Sequence, residues 1–175
     1  ISLLFCMLIS SCLWALERQH IWPKGKMPDP QAHQIAAMTD VVNSPDFDAD
    51  KYREPFLDWY DKPAKEVDNN CCMILISGGG YNSTCDTHYI KVWSERFQCV
   101  NLVYRTPRPE GLPIYQTAWK DAQRAVRMVR SEAKKRGFDP EKIGTISMSA
   151  GSHLAVMLAS SSQTRAYAPI DKLDR

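Results

Sequence analysis

The run Ile143-Gly144-Thr145-Ile146-Ser147-Met148-Ser149-Ala150-Gly151 constrains this chain more than any other stretch. It reads as a short buried strand, a tight turn with a serine at its tip, and the start of a helix. Such a turn lifts a serine hydroxyl above the end of a strand, the arrangement called a nucleophile elbow. The usual spacing is Gly-x-Ser-x-Gly, and here Ser147 stands at the first glycine position. Strand and helix are expected to pass closely there, so a side chain larger than hydrogen crowds them. Gly151 keeps the second permissive position. Ala150 is small, as a residue must be if its backbone N–H is to face a substrate. Taken alone, the run is also compatible with an ordinary Ser/Gly turn.

A second segment narrows the choice. Cys71-Cys72-Met73-Ile74-Leu75-Ile76 has the length and apolarity of a buried strand, and Ser77-Gly78-Gly79-Gly80-Tyr81-Asn82 ends it. Three consecutive glycines cost backbone entropy and pack nothing, so they fit best where backbone must approach something closely. In acyl transfer that something is the developing oxyanion, held by main-chain N–H groups of this loop and of the residue after the nucleophile. The candidate donors are Gly79, Gly80 and Ala150, with Ser149 as the candidate nucleophile. The competing readings are a flexible strand-to-helix loop and a phosphate-binding loop. The Gly-x-Gly-x-x-Gly fingerprint and the Gly-Lys-Ser/Thr signature of phosphate loops are both absent.

Between the two loops the pattern alternates. A helix is predicted from His88 to Phe97, and a strand over Cys99-Val100-Asn101-Leu102-Val103-Tyr104. Pro107, Pro109 and Pro113 break up the next segment. Ala118, Ala122, Ala125, Val126, Val129 and Ala133 then recur at spacings of three and four, giving an amphipathic helix whose small-residue face suits close packing on a sheet. Lys120, Arg124, Arg127, Lys134 and Lys135 lie elsewhere on it and read as a solvated face rather than a nucleic-acid surface. Gly137 closes this helix as a C′ glycine. Leu154, Ala155, Met157 and Leu158 give the helix after Ser149 an apolar side. Strand–helix alternation of this kind predicts an α/β class, a three-layer α/β/α sandwich with a mostly parallel sheet and antiparallel N-terminal strands.

With 175 residues, 44% hydrophobic, the chain can bury a real core as one domain, and a formal charge of +2 selects no charged partner. Ile1 to Trp14 carry no charge and are too short for a transmembrane helix, which needs about 20 residues. They match the apolar part of a secretory leader. Ile9-Ser10-Ser11-Cys12 also fits a lipoprotein cleavage box, with Cys12 as the lipidated residue. Residues 1–18 are therefore assigned to a leader and 19–175 to the domain. A secreted or periplasmic protein with no membrane span in its mature form is expected. The cysteines and the histidines at 20, 33, 88 and 153 show no metal-ligand spacing. Asn82-Ser83-Thr84 is a formal glycosylation acceptor, read as incidental beside the glycine loop.

Several stretches carry a family resemblance. They are His20-Ile21-Trp22-Pro23 with Gly25-Lys26-Met27-Pro28, Ser77 to Tyr81, Tyr104-Arg105, Asp121-Ala122-Gln123-Arg124-Ala125 with Val129-Arg130, Gly137-Phe138-Asp139-Pro140, Ile143-Gly144, and Ser149-Ala150-Gly151-Ser152-His153-Leu154-Ala155. On these the chain resembles the amino-terminal part of an α/β-hydrolase of the esterase/lipase type. It is most similar to bacterial secreted proteins of the acetylxylan esterase-like and feruloyl esterase-like kinds. The resemblance implies a carboxylic-ester hydrolase acting without a cofactor on small esters or acetylated carbohydrate. Ser149 is then the nucleophile, and Gly79, Gly80 and Ala150 form the oxyanion hole.

This sequence departs from the family pattern at Ser147 and Ser152, where glycines are usual, and between Phe97 and Gln98, where relatives have a few more residues. The triad acid and histidine of the family come from loops after later strands, so the sheet reads as truncated after the elbow. His153 lies one helical turn past Ser149 and reads as a buried structural histidine. His88, Asp171 and Asp174 receive no catalytic role. On this reading the 175-residue chain alone is nearly inactive, and its serine strand forms an exposed edge that invites self-association. The same motifs also fit a non-catalytic binding module or a serine peptidase of the same fold.

Overall fold

The structure, a computed structural model, describes residues 17–29, 54–60, 70–84, 90–106 and 111–175. Its elements in chain order are β1 (Glu17–His20), β2 (Phe56–Tyr60), β3 (Cys72–Ile76), α1 (Ile90–Ser94), β4 (Gln98–Val103), α2 (Gln116–Arg136), β5 (Ile143–Ser147), α3 (Ala150–Ser160) and a 3₁₀ turn (Lys172–Asp174). The strands form one five-stranded sheet in the order β1-β2-β4-β3-β5. β4, β3 and β5 run parallel, while β1 and β2 are antiparallel additions on one side. Parallel neighbours require crossovers, and α1 and α2 lie in them, as the alternating sequence pattern demands. His33, His88 and the leader through residue 16 lie outside the described residues.

The side-chain period of two sorts the sheet into two faces. Cys72, Ile74 and Ile76 point with Val100, Leu102, Leu57 and Trp59 into the main core, which Ala118, Ala122, Ala125, Val129 and Ala133 of α2 and Leu154 of α3 complete. Leu75, Cys99 and Tyr60 form the smaller core on the other face. The alanine stripe brings α2 close to the sheet, and Gly137 ends the helix at φ 79°, its N–H bonded to Ala133 O at 2.9 Å. Phe138 N also reaches Ala133 O, at 3.1 Å, and its ring returns to the core.

Three sequence expectations change here. Glu17 and Arg18, assigned to the leader, belong to β1 and pair with Trp59 and Asp58. Arg136 of α2 secures that strand: it donates to Glu17 at 2.7 Å, and its guanidinium lies 3.8 Å from the Trp59 ring centroid. The polar stripe of α2 is also not wholly solvated. Lys134 and Lys135 are exposed, but Lys120 and Arg124 are buried. Lys120 pairs with Asp29. Arg124 holds Asp171 at 2.6 Å and Asp174 at 2.7 Å, which docks the 3₁₀ turn onto α2. That arginine holds the Asp171 carboxyl below its ordinary range. Third, His153 is exposed rather than buried.

The polar centre of the fold is Asp121. Its carboxylate accepts from Arg105 Nε at 2.9 Å, Arg105 backbone N at 2.9 Å and Trp22 Nε1 at 2.8 Å. The guanidinium and carboxylate are both fully inaccessible to solvent. Arg105 also donates to the carbonyls of Pro28 and Thr117. One ion pair thus joins the end of β4, the first half of α2 and the segment after β1. Removing the charge of one partner strands the other in a dry site. Asp121→Asn is expected to lower unfolding free energy by about 3–5 kcal/mol, read by urea denaturation. A loss below about 1 kcal/mol would show that the pair is dispensable.

Candidate active site

The register of the parallel strands assembles the site. Ile76, the last residue of β3, lies beside Ser147, the last residue of β5. Both chains therefore leave the sheet at the same end, β3 into the glycine loop and β5 into the serine turn. Met148 N still bonds Ile76 O at 3.3 Å, carrying the pairing one residue beyond the strands. Ligands of open α/β sheets bind outside the carboxyl ends of parallel strands, where these two loops meet.

Ser149 sits at the turn with φ 51° and ψ −120°. This is a backbone region that L-residues avoid, at a cost of about 1–3 kcal/mol. Gly151 N bonds Met148 O at 2.8 Å, and Ser152 N and His153 N both bond Ser149 O, so the strained residue is clamped by the first turn of α3. Ser149 precedes the helix yet makes no side-chain cap hydrogen bond, and it is exposed. A serine before a helix ordinarily uses its hydroxyl as the cap. Here the hydroxyl makes no such bond. The N–H of Ala150, in the first turn of α3, precedes any intrahelical acceptor.

The glycines show why the turn closes so tightly. A Cβ on Gly151 would lie 2.2 Å from Ile76 O and 2.6 Å from Ser77 O. The close approach expected at Ser147 is therefore met at Gly151, where helix backbone rests on strand backbone. A Cβ on Gly78 would lie 3.0 Å from Ser149 Cβ and 3.6 Å from its Oγ, which places the glycine loop directly against the serine. Gly79 has φ 124°, and a Cβ there would lie 2.0 Å from Ser83 O; its own carbonyl accepts from Asn82 N and Ser83 N. Gly80 has φ 59° with its nearest neighbour at 4.0 Å. Gly79, Gly80, Ser149 and Ala150 are thus gathered at one end of the sheet.

Two further residues belong to the site. Tyr81, next in the loop, has φ 63° and a buried ring. Its hydroxyl donates to Ala150 O at 3.1 Å and lies 2.8 Å from His153 Nδ1. Burial pushes the Tyr81 phenol up to about 12, so it stays a protonated donor through the neutral range. A positive φ at a tyrosine and a histidine one turn past the serine are visible in the sequence only as spacing. Among the described residues no imidazole is hydrogen-bonded to Ser149 Oγ, and no group of three His, Cys, Asp or Glu converges as a metal site. A small cavity lined by His20, Trp22, Lys24 and Glu54 lies by β1, at the opposite edge of the sheet from Ser149.

Gly151→Ala is expected to destabilise the protein by about 3 kcal/mol or more, because neither clashing atom is a movable side chain. Gly80→Ala meets open space and carries only the left-handed backbone strain, about 1 kcal/mol. Chemical denaturation of both variants checks the order, and equal losses would contradict the tight approach at Gly151.

Comparison with known proteins supplies the family. Residues 57–173 match the family model BD-FAE. Endo-1,4-beta-xylanase B of Butyrivibrio fibrisolvens is 32% identical over 92 residues, which span 50% of this chain and 14% of that protein. Among solved structures, an acetyl ester-xyloside bifunctional hydrolase from Caldicellulosiruptor lactoaceticus superposes with a TM-score of 0.65 at 23% identity, covering 95% of this chain and 54% of that one. A thermophilic esterase from the Planctomycetes species Thermogutta terrifontis, with propionate bound, gives a TM-score of 0.50 at 27% identity, covering 59% and 40%. The chain therefore spans about half the length of the first of these structures and a smaller part of the other two proteins. An elbow and a glycine loop at the carboxyl end of one sheet, within a matched span of more than half the chain, make this protein a member of the BD-FAE family with an α/β-hydrolase fold.

Proposed function

We propose that this chain carries the nucleophile and oxyanion-binding half of a carboxylic-ester hydrolase. The observation that supports it most directly is Ser149 itself: strained, exposed, free of a capping role and set against the glycine loop. In the reaction Ser149 Oγ attacks the ester carbonyl carbon. The carbonyl oxygen becomes an oxyanion held by the N–H groups of Ala150 and of Gly79 or Gly80. A histidine takes the serine proton and returns it to the departing alcohol, leaving an acyl-serine. Water, deprotonated by the same histidine, then releases the carboxylic acid. The histidine and its acid lie outside the contacts that the described residues make.

The names of the relatives favour acyl esters on plant polysaccharide, acetyl groups on xylan in particular, as the substrate class. An extracellular or periplasmic location, with Cys12 as a lipid attachment point, suits a polymeric substrate that does not enter a cell. Among the described residues no helix is long and apolar enough to cross a membrane.

The test is covalent labelling and turnover of the protein with any residues its gene encodes beyond Arg175, beside the same protein carrying Ser149→Ala. A phosphonate ester should modify the peptide containing Ser149 in the unaltered protein only, and release of acetate from acetylated xylan should fall by about 10⁴-fold or more in S149A. Labelling at another residue, or unaltered acetate release in S149A, overturns the assignment.

β5 adds a second proposal. It is the outer strand of the described sheet, its residues are half-buried or exposed, and Met148 directly after it is an exposed apolar side chain. Among the described residues no strand pairs with its outer edge, and an open edge invites pairing with another strand. The 175-residue chain is expected to sediment with a weight-average mass that rises with concentration. A monomer at every concentration tested would show that the edge does not self-associate.

A further inference from the structure

Tyr81 occupies a position that glycine would fill at less conformational cost, directly after three glycines. What the chain gains there is a phenol reaching from the glycine loop to α3. The phenol oxygen has two partners, Ala150 O at 3.1 Å and His153 Nδ1 at 2.8 Å. It has one proton, and a carbonyl oxygen can only accept. With the phenol proton on Ala150 O, the proton in the second hydrogen bond comes from the imidazole. His153 is then an Nδ1–H tautomer, with Nε2 unprotonated in the neutral ring. The ring is further held at 6.0 Å from the Tyr81 centroid and 5.7 Å from that of Tyr115.

We propose that Tyr81 and His153 are positioning residues that lock the glycine loop to the first turn of α3 and so fix the spacing between the two sets of oxyanion donors. The catalytic consequence rests on the reading of Ser149 given above; the clamp and its tautomer do not. The candidate donors Gly79 and Gly80 sit on the loop, and their partner donor is Ala150. Strand pairing fixes where β3 and β5 end, and the Tyr104 hydroxyl holds Ser77 O at 2.9 Å, but the three glycines that follow have the widest backbone freedom of any residue. Tyr81 limits that freedom by binding the carbonyl of Ala150, whose N–H is the proposed donor on α3. The imidazole N–H polarises the phenol and strengthens its bond to Ala150. His153 works here through Nδ1 and not as the base for Ser149.

The tautomer is read first, by two-bond proton–nitrogen correlation spectra of the folded chain above the imidazole titration. His153 should show a protonated Nδ1, and in Tyr81→Phe, which keeps the ring but loses the phenol, it should revert to the Nε2–H form favoured by free histidine. An Nε2–H signal in the unaltered chain overturns the clamp, whether or not the protein hydrolyses esters. The kinetic arm uses the esterase as encoded. Y81F and His153→Ala should lower kcat for a small acetyl ester by about 10- to 100-fold with KM changed less than about twofold, as for a displaced donor. His153→Asn, whose amide nitrogen can stand where Nδ1 stood, should restore most of what H153A loses. An H153N variant as impaired as H153A would mean that Nε2 does the work, and the positioning role would be wrong. Absence of serine-dependent turnover in the unaltered protein would instead sink the ester-hydrolase reading and leave the spectra to decide the clamp.

Discussion

The site depends on one contact that involves no functional group: the α-carbon of Gly151 resting against the carbonyls of Ile76 and Ser77. β3 and β5 are neighbours, so their last residues are level, and the segments leaving them must share a small space. Because α3 begins directly on the end of β3, the connection from β5 has room for little more than Met148 and Ser149. A connection that short forces Ser149 into its left-handed conformation. The strain does not depend on what the serine does. It follows from seating a helix on a strand end, and it persists because the hydrogen bonds of Gly151, Ser152 and His153 over-determine the turn. The same contact places the N-terminus of α3, with its partial positive charge, beside the glycine loop.

A strained turn needs a scaffold that does not yield, and here that scaffold is polar. Arg105 at the end of β4 and Asp121 in α2 bury a complete ion pair beneath the strand ends, with Trp22 satisfying the same carboxylate. Arg124, one turn further along α2, does the corresponding work on the C-terminal segment through Asp171 and Asp174, and Tyr167 adds its hydroxyl to Asp174. Burying ions is not in itself stabilising, since desolvation offsets the attraction. What these pairs supply is geometry: each binds a loop to α2 at a single orientation. An apolar contact of equal area would tolerate sliding.

Much of this could be read in the sequence, and the reasons differ by element. β3, β4 and β5 were legible because they are short apolar runs ended by glycine, proline or serine. α2 was legible because alanines at three- and four-residue spacing have only one structural use in such a chain. The glycine loop and elbow were legible because their residue choices make sense only where backbone must approach backbone or substrate. β1 was not: Glu17-Arg18-Gln19-His20 has no apolar alternation, and it joins the sheet through Arg18–Asp58 and Arg136–Glu17 ion pairs whose partners are 40 and 119 residues away. For the same reason Lys120 and Arg124 looked solvated. A charge on a helix reads as surface unless its long-range partner is known. His153 misled in the opposite direction, since an imidazole within an apolar helix face looks buried until Tyr81 is seen to hold it at the rim.

The division of labour within the site follows from these differences. Holding an oxyanion requires backbone N–H groups at fixed places, and backbone is fixed by strand register, helix packing and glycine. All of these are set between Ile76 and Gly151, so the backbone that the proposed oxyanion site needs is placed by local and parallel pairing alone. Moving a proton requires side chains delivered to Ser149 Oγ from elements not constrained by that register. The imidazole nearest in sequence, His153, has its Nδ1 2.8 Å from the Tyr81 hydroxyl, and no hydrogen bond joins it to Ser149 Oγ among the described residues. On the proposed reading, a site built this way is preorganised for the charge that develops on the substrate.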